Sequence, residues 1–186
     1  MRIISGSHRG RVIRPPQGLP IRPTTDLAKE SLFNILNNYL DFEEVRVLDL
    51  FAGTGSISYE FASRGAKGVV SIELNPRCSD FISKMATEYK FPQLQVIKAN
   101  VLTYLAKGAG KFDVIFADPP YDMPGREVLP GLVFDNKWLA EDGWLIIEHD
   151  KAISFVGAPL FSEERRYGKV HFSFFRNSEY AGQASV

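Results

Sequence analysis

Between residues 45 and 150 the sequence repeats one device: a short apolar run, then an amphipathic stretch. The runs are "VRVLDLF", "GVVSIEL", "LQVIKA", "FDVIFA" and "GWLIIEH". None alternates apolar with polar residues as a half-exposed strand would, so each reads as a strand covered on both faces. Helical spacers between such strands force parallel crossovers, and the fold class is therefore α/β with a doubly wound, mostly parallel sheet. Spacer helices are expected from about residue 55 and about residue 76, with a short one after the third run and another after the fourth. The last segment, "LFSEERRYGKVHFSFFR", has two strand-like pieces about a "YGK" reversal and no helix between them, which predicts an antiparallel hairpin at the sheet edge.

The chain starts differently. "RIIS" and "RVIR" flank "GSHRG", the pattern of a β-hairpin, and "PPQGLPIRP" interrupts regular structure. From Thr24 a helix is expected, with Ala28, Leu32, Ile35, Leu36 and Tyr39 on its apolar stripe and Thr24, Thr25 or Asp26 as cap. The expected organisation is a basic arm over 1–23 and one main domain over 24–186, frayed from about residue 178.

At 186 residues the chain can bury a core without disulfides, and its single cysteine, Cys78, has no internal partner. No apolar run reaches the roughly 20 residues of a membrane span, and "MRIISGSHRGR" lacks a secretory core, so a cytoplasmic protein is expected. His8, His149 and His171 are too scattered in sequence to suggest a metal site, and no metal is expected. An arm plus one small domain is compatible with a monomer.

Lys and Arg total 22 and Asp and Glu total 22, but the charge is unevenly placed. Residues 1–25 carry Arg2, Arg9, Arg11, Arg14 and Arg22 and no acid. That end is a candidate phosphate contact; an ordinary solvated loop would read the same way. Arg165, Arg166 and Lys169 in the late hairpin are similarly open to either reading.

Ligands of such sheets bind beyond the carboxyl ends of the strands. In "VLDLFAGTGS", Gly53 and Gly55 occupy the turn after the first parallel strand, where the absence of a Cβ lets a ligand approach the backbone. Asp49 ends that strand and is expected to point at the same crevice. Phe51 falls in the turn by position, although an aromatic there is most simply core. Glu73 ends the next strand, at the spacing of an acid that accepts from ribose hydroxyls. After the third strand, the Asn100 carbonyl and the Val101 N–H could meet an adenine, while Asn100 as a helix cap explains the residue equally well. The third glycine of a dinucleotide fingerprint is replaced by Ser58, so tight pyrophosphate packing is not indicated.

The fourth run ends in "ADPPYD". Pro119 and Pro120 stiffen the loop, which can hold the Asp118 carboxylate and the Pro119 carbonyl as two fixed acceptors. Two acceptors match the two hydrogens of an exocyclic amine, and Tyr121 offers a face on which a base can stack. Such an amine is a poor nucleophile because its lone pair is delocalised into the ring. Accepting its hydrogens stabilises the charge that develops as nitrogen attacks a methyl carbon. The base must then be single-stranded or extruded. Glu148 and His149, at the fifth strand end, read first as surface or satisfied core positions.

"VLDLFAGTG", "IELN" and "DPPY" in this order resemble the S-adenosylmethionine-dependent amino-methyltransferases. With "RIISGSHRGR…RPTTD…KESLFNIL" and "RRYGKVHFSFF", the chain from about residue 2 to 176 resembles the RsmD family, the 16S ribosomal RNA (guanine-966-N2)-methyltransferases. The resemblance implies a seven-stranded Rossmann-like methyltransferase sheet and an N2 amine of guanine in small-subunit RNA as acceptor, within a free, assembling or assembled particle. It assigns Asp118, Pro119, Pro120 and Tyr121 to the target base, and Asp49, Gly53, Gly55 and Glu73 to the cofactor. Leu27, Ala28 and Lys29 stand where arginines are common in such proteins, and Asn100 stands where an acid is common. Residue chemistry by itself also fits an adenine N6 amine in DNA or RNA, an RNA-binding assembly factor without catalysis, or an NAD-dependent oxidoreductase.

Overall fold

The computed structural model describes residues 1–19, 26–108 and 110–177. All five apolar runs are strands: β1 (Arg46–Leu50), β2 (Gly68–Glu73), β3 (Leu94–Lys98), β4 (Phe112–Ala117) and β5 (Leu139–His149). With β6 (Phe161–Tyr167) and β7 (Val170–Arg176) they form one sheet in the order β3-β2-β1-β4-β5-β7-β6. The first five are parallel, and β7 and β6 add antiparallel to the β5 edge. Gly168, with φ +64°, makes the reversal between β6 and β7.

The apolar runs are continuous because each face of the sheet has its own core. Val47, Val69, Val114 and Ile146 join one cluster with Phe33 and Phe61, and Leu48, Ile72, Ile115 and Leu145 join the other with Leu105 and Val133. Alternate strand residues thus meet helices on opposite sides. The first layer carries α1 (Asp26–Leu36), α2 (Ser56–Ser63) and α3 (Pro76–Glu88); the second carries α4 (Val101–Ala106) and α5 (Leu129–Asp135). Asn75 caps α3, accepting from the Arg77 N–H at 2.9 Å, and Pro76 follows at the first turn.

Two expectations are corrected. Helix α1 stops at Leu36, so Tyr39 lies beyond the stripe, exposed, with its ring 5.5 Å from that of Trp144. The buried positions of α1 include Lys29 and Phe33, which the apolar stripe omitted. The proposed caps Thr24 and Thr25 lie outside the described residues, as do Arg22 and the tail from 178.

The N-terminal segment forms the expected hairpin, antiparallel about the Arg2–Val12 bridge, with the Ile3 N–H donating to the Arg11 carbonyl and the Ile13 N–H to the Met1 carbonyl, each at 2.9 Å. The hairpin is fastened to α2. The buried Glu60 carboxylate on α2 accepts from the Ile4 N–H at 2.7 Å and the Ser5 N–H at 3.0 Å, and also binds Arg64 at 2.9 Å. Ser63 Oγ donates to the Ser5 carbonyl at 2.7 Å and accepts from the His8 N–H at 3.0 Å. A Cβ on Gly6 would collide with the Ser63 carbonyl, so the close approach requires glycine. Lys29 completes the attachment, its Nζ donating to the Arg2 carbonyl at 2.6 Å and to Ser56 Oγ at 3.1 Å, while burial lowers its pKa. Ile3 and Ile13 sink into the core, and Arg2, Arg9, Arg11 and Arg14 are left facing solvent.

Removing the carboxylate strands Arg64, only 11% exposed, and two backbone donors. Glu60→Ala should lower the unfolding free energy by about 3 kcal/mol in urea titration, and should expose the Ile4 and Ser5 amides to hydrogen exchange.

Candidate active site

The strand order reverses between β1 and β4, which are adjacent and parallel. Their C-terminal loops therefore open on the same crevice from opposite sides. A cavity of about 1280 Å³ lies there, lined from the β1 loop by Phe51 and Gly53, from β2 by Glu73, from α4 by Asn100 and Val101, and from the β4 loop by Asp118 through Tyr121. The structure brings these sequence-predicted residues together.

Glu73 organises the β1–β2 side of the cavity. Its Oε2 accepts from the Gly53 N–H at 2.8 Å and its Oε1 from the Asn75 N–H at 2.7 Å. Each carboxylate oxygen keeps further acceptor capacity. Phe51 holds φ +60°, unusual for an aromatic residue, and Gly53 holds φ +56°, so the turn is wound tightly against Glu73.

Two predicted residues stand elsewhere. Asp49 is 1% exposed and does not line the cavity. Its Oδ2 instead accepts from Ser58 Oγ at 2.5 Å, and Ser58 Oγ meets Ser71 Oγ at 2.6 Å, so the carboxylate belongs to a buried polar cluster behind the β1 loop. Burial pushes its pKa up to about 7 against the opposing Ser58 hydrogen bond, and the charges of Asp118 and Glu73 add to the rise. Gly55 also lies off the cavity: it starts α2 at φ +85°, and a Cβ there would come within 2.8 Å of the Tyr59 ring. Both residues shape the loop from behind.

Asn100 does what a cap does, its Oδ1 accepting from the Thr103 N–H at 3.1 Å, while the residue still borders the cavity. Leu74 and Leu102 were missed. They flank Glu73 and Val101 and supply apolar wall; a leucine directly after a strand-end acid, as in "IELN", was the available signal. Pro16, Gly18 and Leu19, read only as a break in structure, border the mouth, and Arg77 holds them by donating to the Gln17 and Gly18 carbonyls at 3.3 Å.

On the acceptor side, Pro119 is buried and Asp118 and Tyr121 are half-buried. Arg126, 5% exposed, sits behind the loop: its guanidinium lies 5.7 Å from the Tyr121 ring centroid, and its Nη2 donates to Asp150 at 3.0 Å. The Arg126 Nη1 is buried without a hydrogen-bond partner. Glu148, 4% exposed, borders this cavity too, so of its two readings the surface position is excluded.

The histidines are less scattered in space than in sequence. Pairing of β5 with β7 sets His149 opposite His171, and with Glu164 their ligand atoms lie within 4.8 Å of one another. His149 is already engaged by the Asp150 carbonyl at 2.7 Å and Ser173 Oγ at 2.8 Å, and Arg166 holds Glu164 at 2.6 Å. The arrangement is a self-satisfied polar cluster. Arg165 likewise pairs with Glu163 at 2.6 Å, which spends its charge locally.

Comparisons with known proteins identify the family. The family model described as "Conserved hypothetical protein 95" matches residues 1–176. The chain belongs to that family. This is the RsmD family of the resemblance. Relatives include Ribosomal RNA small subunit methyltransferase D of Escherichia coli, 33% identical over 95% of this chain and 89% of the relative. The Haemophilus influenzae protein of the same name is 32% identical over 95% and 94%. A solved Escherichia coli chain, yhhF, described as a methyltransferase, superposes with a TM-score of 0.84 at 32% identity, covering 96% of this chain and 98% of its own.

The buried acid of this family member has a pH signature. With its pKa raised from 3.8 to about 7, native Asp49 keeps a proton that the unfolded chain has lost, so its contribution to stability is largest near pH 4 and declines as pH rises to 7. Asp49→Asn should remove that decline, so urea midpoints measured from pH 4 to 7 should show the variant gaining on the wild type as pH rises.

Proposed function

We propose that the protein transfers a methyl group from S-adenosylmethionine to the exocyclic N2 amine of a guanine in small-subunit ribosomal RNA. One observation carries the reading: the Glu73-braced glycine turn and the Asp118–Tyr121 loop border one continuous cavity. The relatives' printed names supply the RNA class.

The cavity suits this cofactor. Its described lining includes Glu73, Asp118, Asp122 and Glu148 and no Lys or Arg. An acidic, apolar-walled site favours a cationic ligand and is poor for the pyrophosphate of NAD. Glu73 would accept from ribose hydroxyls, Val101 would donate its N–H to the adenine ring, and Leu74 and Leu102 would flank that ring. When bound, S-adenosylmethionine supplies an electrophilic methyl on sulfur.

The chain's own residues then prepare the nucleophile. Tyr121 stacks on the extruded base, which orients the amine. Asp118 and the Pro119 carbonyl accept hydrogen bonds from the two amine N–H groups, turning the nitrogen lone pair toward the methyl carbon and stabilising positive charge as the C–N bond forms while the C–S bond breaks with its electrons left on sulfur. The Asp118 carboxylate is placed to take the proton that the alkylated amine then sheds. The exposed arginines at positions 2, 9, 11 and 14 lie on the arm, where they would meet RNA phosphates; Arg22 belongs to the same set by sequence. The arm over 1–23 thus serves substrate docking and the remainder serves chemistry.

Asp118→Ala should leave S-adenosylmethionine affinity nearly intact by thermal-shift titration while lowering labelled methyl transfer to ribosomal RNA by at least about 100-fold. Normal turnover would remove Asp118 from the mechanism. RNA affinity should fall steeply between roughly 50 and 200 mM salt, and more gently once the arm arginines are replaced together.

A further inference from the structure

Strands β4 and β5 run parallel with Ala117 opposite Ile147, so the next residues, Asp118 and Glu148, leave the sheet side by side. Neighbouring strands lie about 4.8 Å apart. Glu148 is 4% exposed and borders the same cavity as Asp118 and Tyr121. Successive strand side chains point to opposite faces, and His149 is occupied on its own side by Asp150 and Ser173. A second carboxylate therefore stands where the edge of a base held by the Asp118–Tyr121 loop must lie.

We propose that Glu148 reads the N1–H of the extruded guanine, and so selects guanine against adenine; the proposal rests on the guanine N2 reading above. Asp118 and the Pro119 carbonyl recognise an amine, which both purines possess. What differs is the neighbour of that amine. In guanine the N2 amine adjoins N1–H, so the edge offers a contiguous row of donors that two adjacent carboxylates can accept. In adenine the amine is flanked by N1 and N7, both acceptors, and a buried carboxylate facing N1 would set lone pair against lone pair with no hydrogen between them. No Lys or Arg among the described lining residues offers a compensating donor. A site built to bond a particular N–H rejects an analogue without it far more strongly than an apolar pocket rejects a change of shape.

The test uses a small-subunit ribosomal RNA transcript, after labelled transfer with the full chain has mapped the modified guanine. A second transcript carries 2-aminopurine at that position, which keeps the N2 amine but has no hydrogen on N1. Wild-type protein should methylate the guanine RNA at least about tenfold faster, the loss of one charge-assisted hydrogen bond. In Glu148→Gln, whose amide can donate to N1 as well as accept, guanine methylation should slow and the preference should collapse toward unity. Equal wild-type rates on the two RNAs overturn the proposal, and this arm needs no variant to fold. A preference left unchanged in a Glu148→Gln protein that still binds S-adenosylmethionine overturns it as well, with the guanine reading left standing. Wild-type product containing N6-methyladenine and no N2-methylguanine overturns both.

Discussion

The parallel pairing of β1 with β4 is the constraint on which the rest of the molecule depends. Chain order runs outward from β1 toward β3 on one side and from β4 toward β5 on the other, so no crossover helix fills the space above the β1–β4 boundary. A crevice must exist there. Register settles what faces it, because Leu50 pairs with Ala117 and the two loops start at the same height above the sheet. The glycine turn and the Asp118–Tyr121 loop are thereby held by two adjacent buried strands, an arrangement more exact than two mobile loops would allow.

Carboxylates do unusually varied work around that crevice. Glu60 is satisfied wholly by protein and fastens the N-terminal segment to α2. Asp49 is also enclosed, and its ordinary ionisation is suppressed by burial. Glu73 stands between these cases, braced by two backbone N–H groups yet open on its cavity side. Asp118 and Glu148 face the space directly. The concentration of negative charge suits a sulfonium and an amine that becomes cationic as it reacts, and is unfavourable to phosphates, for which the proposed contact is the arginine-bearing arm.

Much of this was legible in the residues. Strand runs, the late hairpin, Gly53, Glu73 and the Asp118–Tyr121 tetrapeptide could be placed because each has a local cause: apolar continuity, backbone freedom, a strand-end acid or proline stiffness. Asp49 was misplaced because a strand-end acid can point either into the crevice or beneath it, and only Ser58 and Ser71, from two other elements, decide the matter. The same reason explains the arm. Its hairpin pattern was legible, but its attachment through Glu60 and Ser63 was not, because nothing in the local sequence announces a partner more than 50 residues away. The place of Glu148 beside Asp118 was not legible because neighbouring strands, rather than neighbouring residues, bring the two together.

Arg126 adds a consequence for the geometry of base entry. Its guanidinium lies over one face of the Tyr121 ring and is tethered to Asp150, just past the carboxyl end of β5. An aromatic ring has two faces, and here a cation already covers one. A nucleobase stacked on Tyr121 as proposed would have only the other face to settle on, so its approach would be restricted to one side.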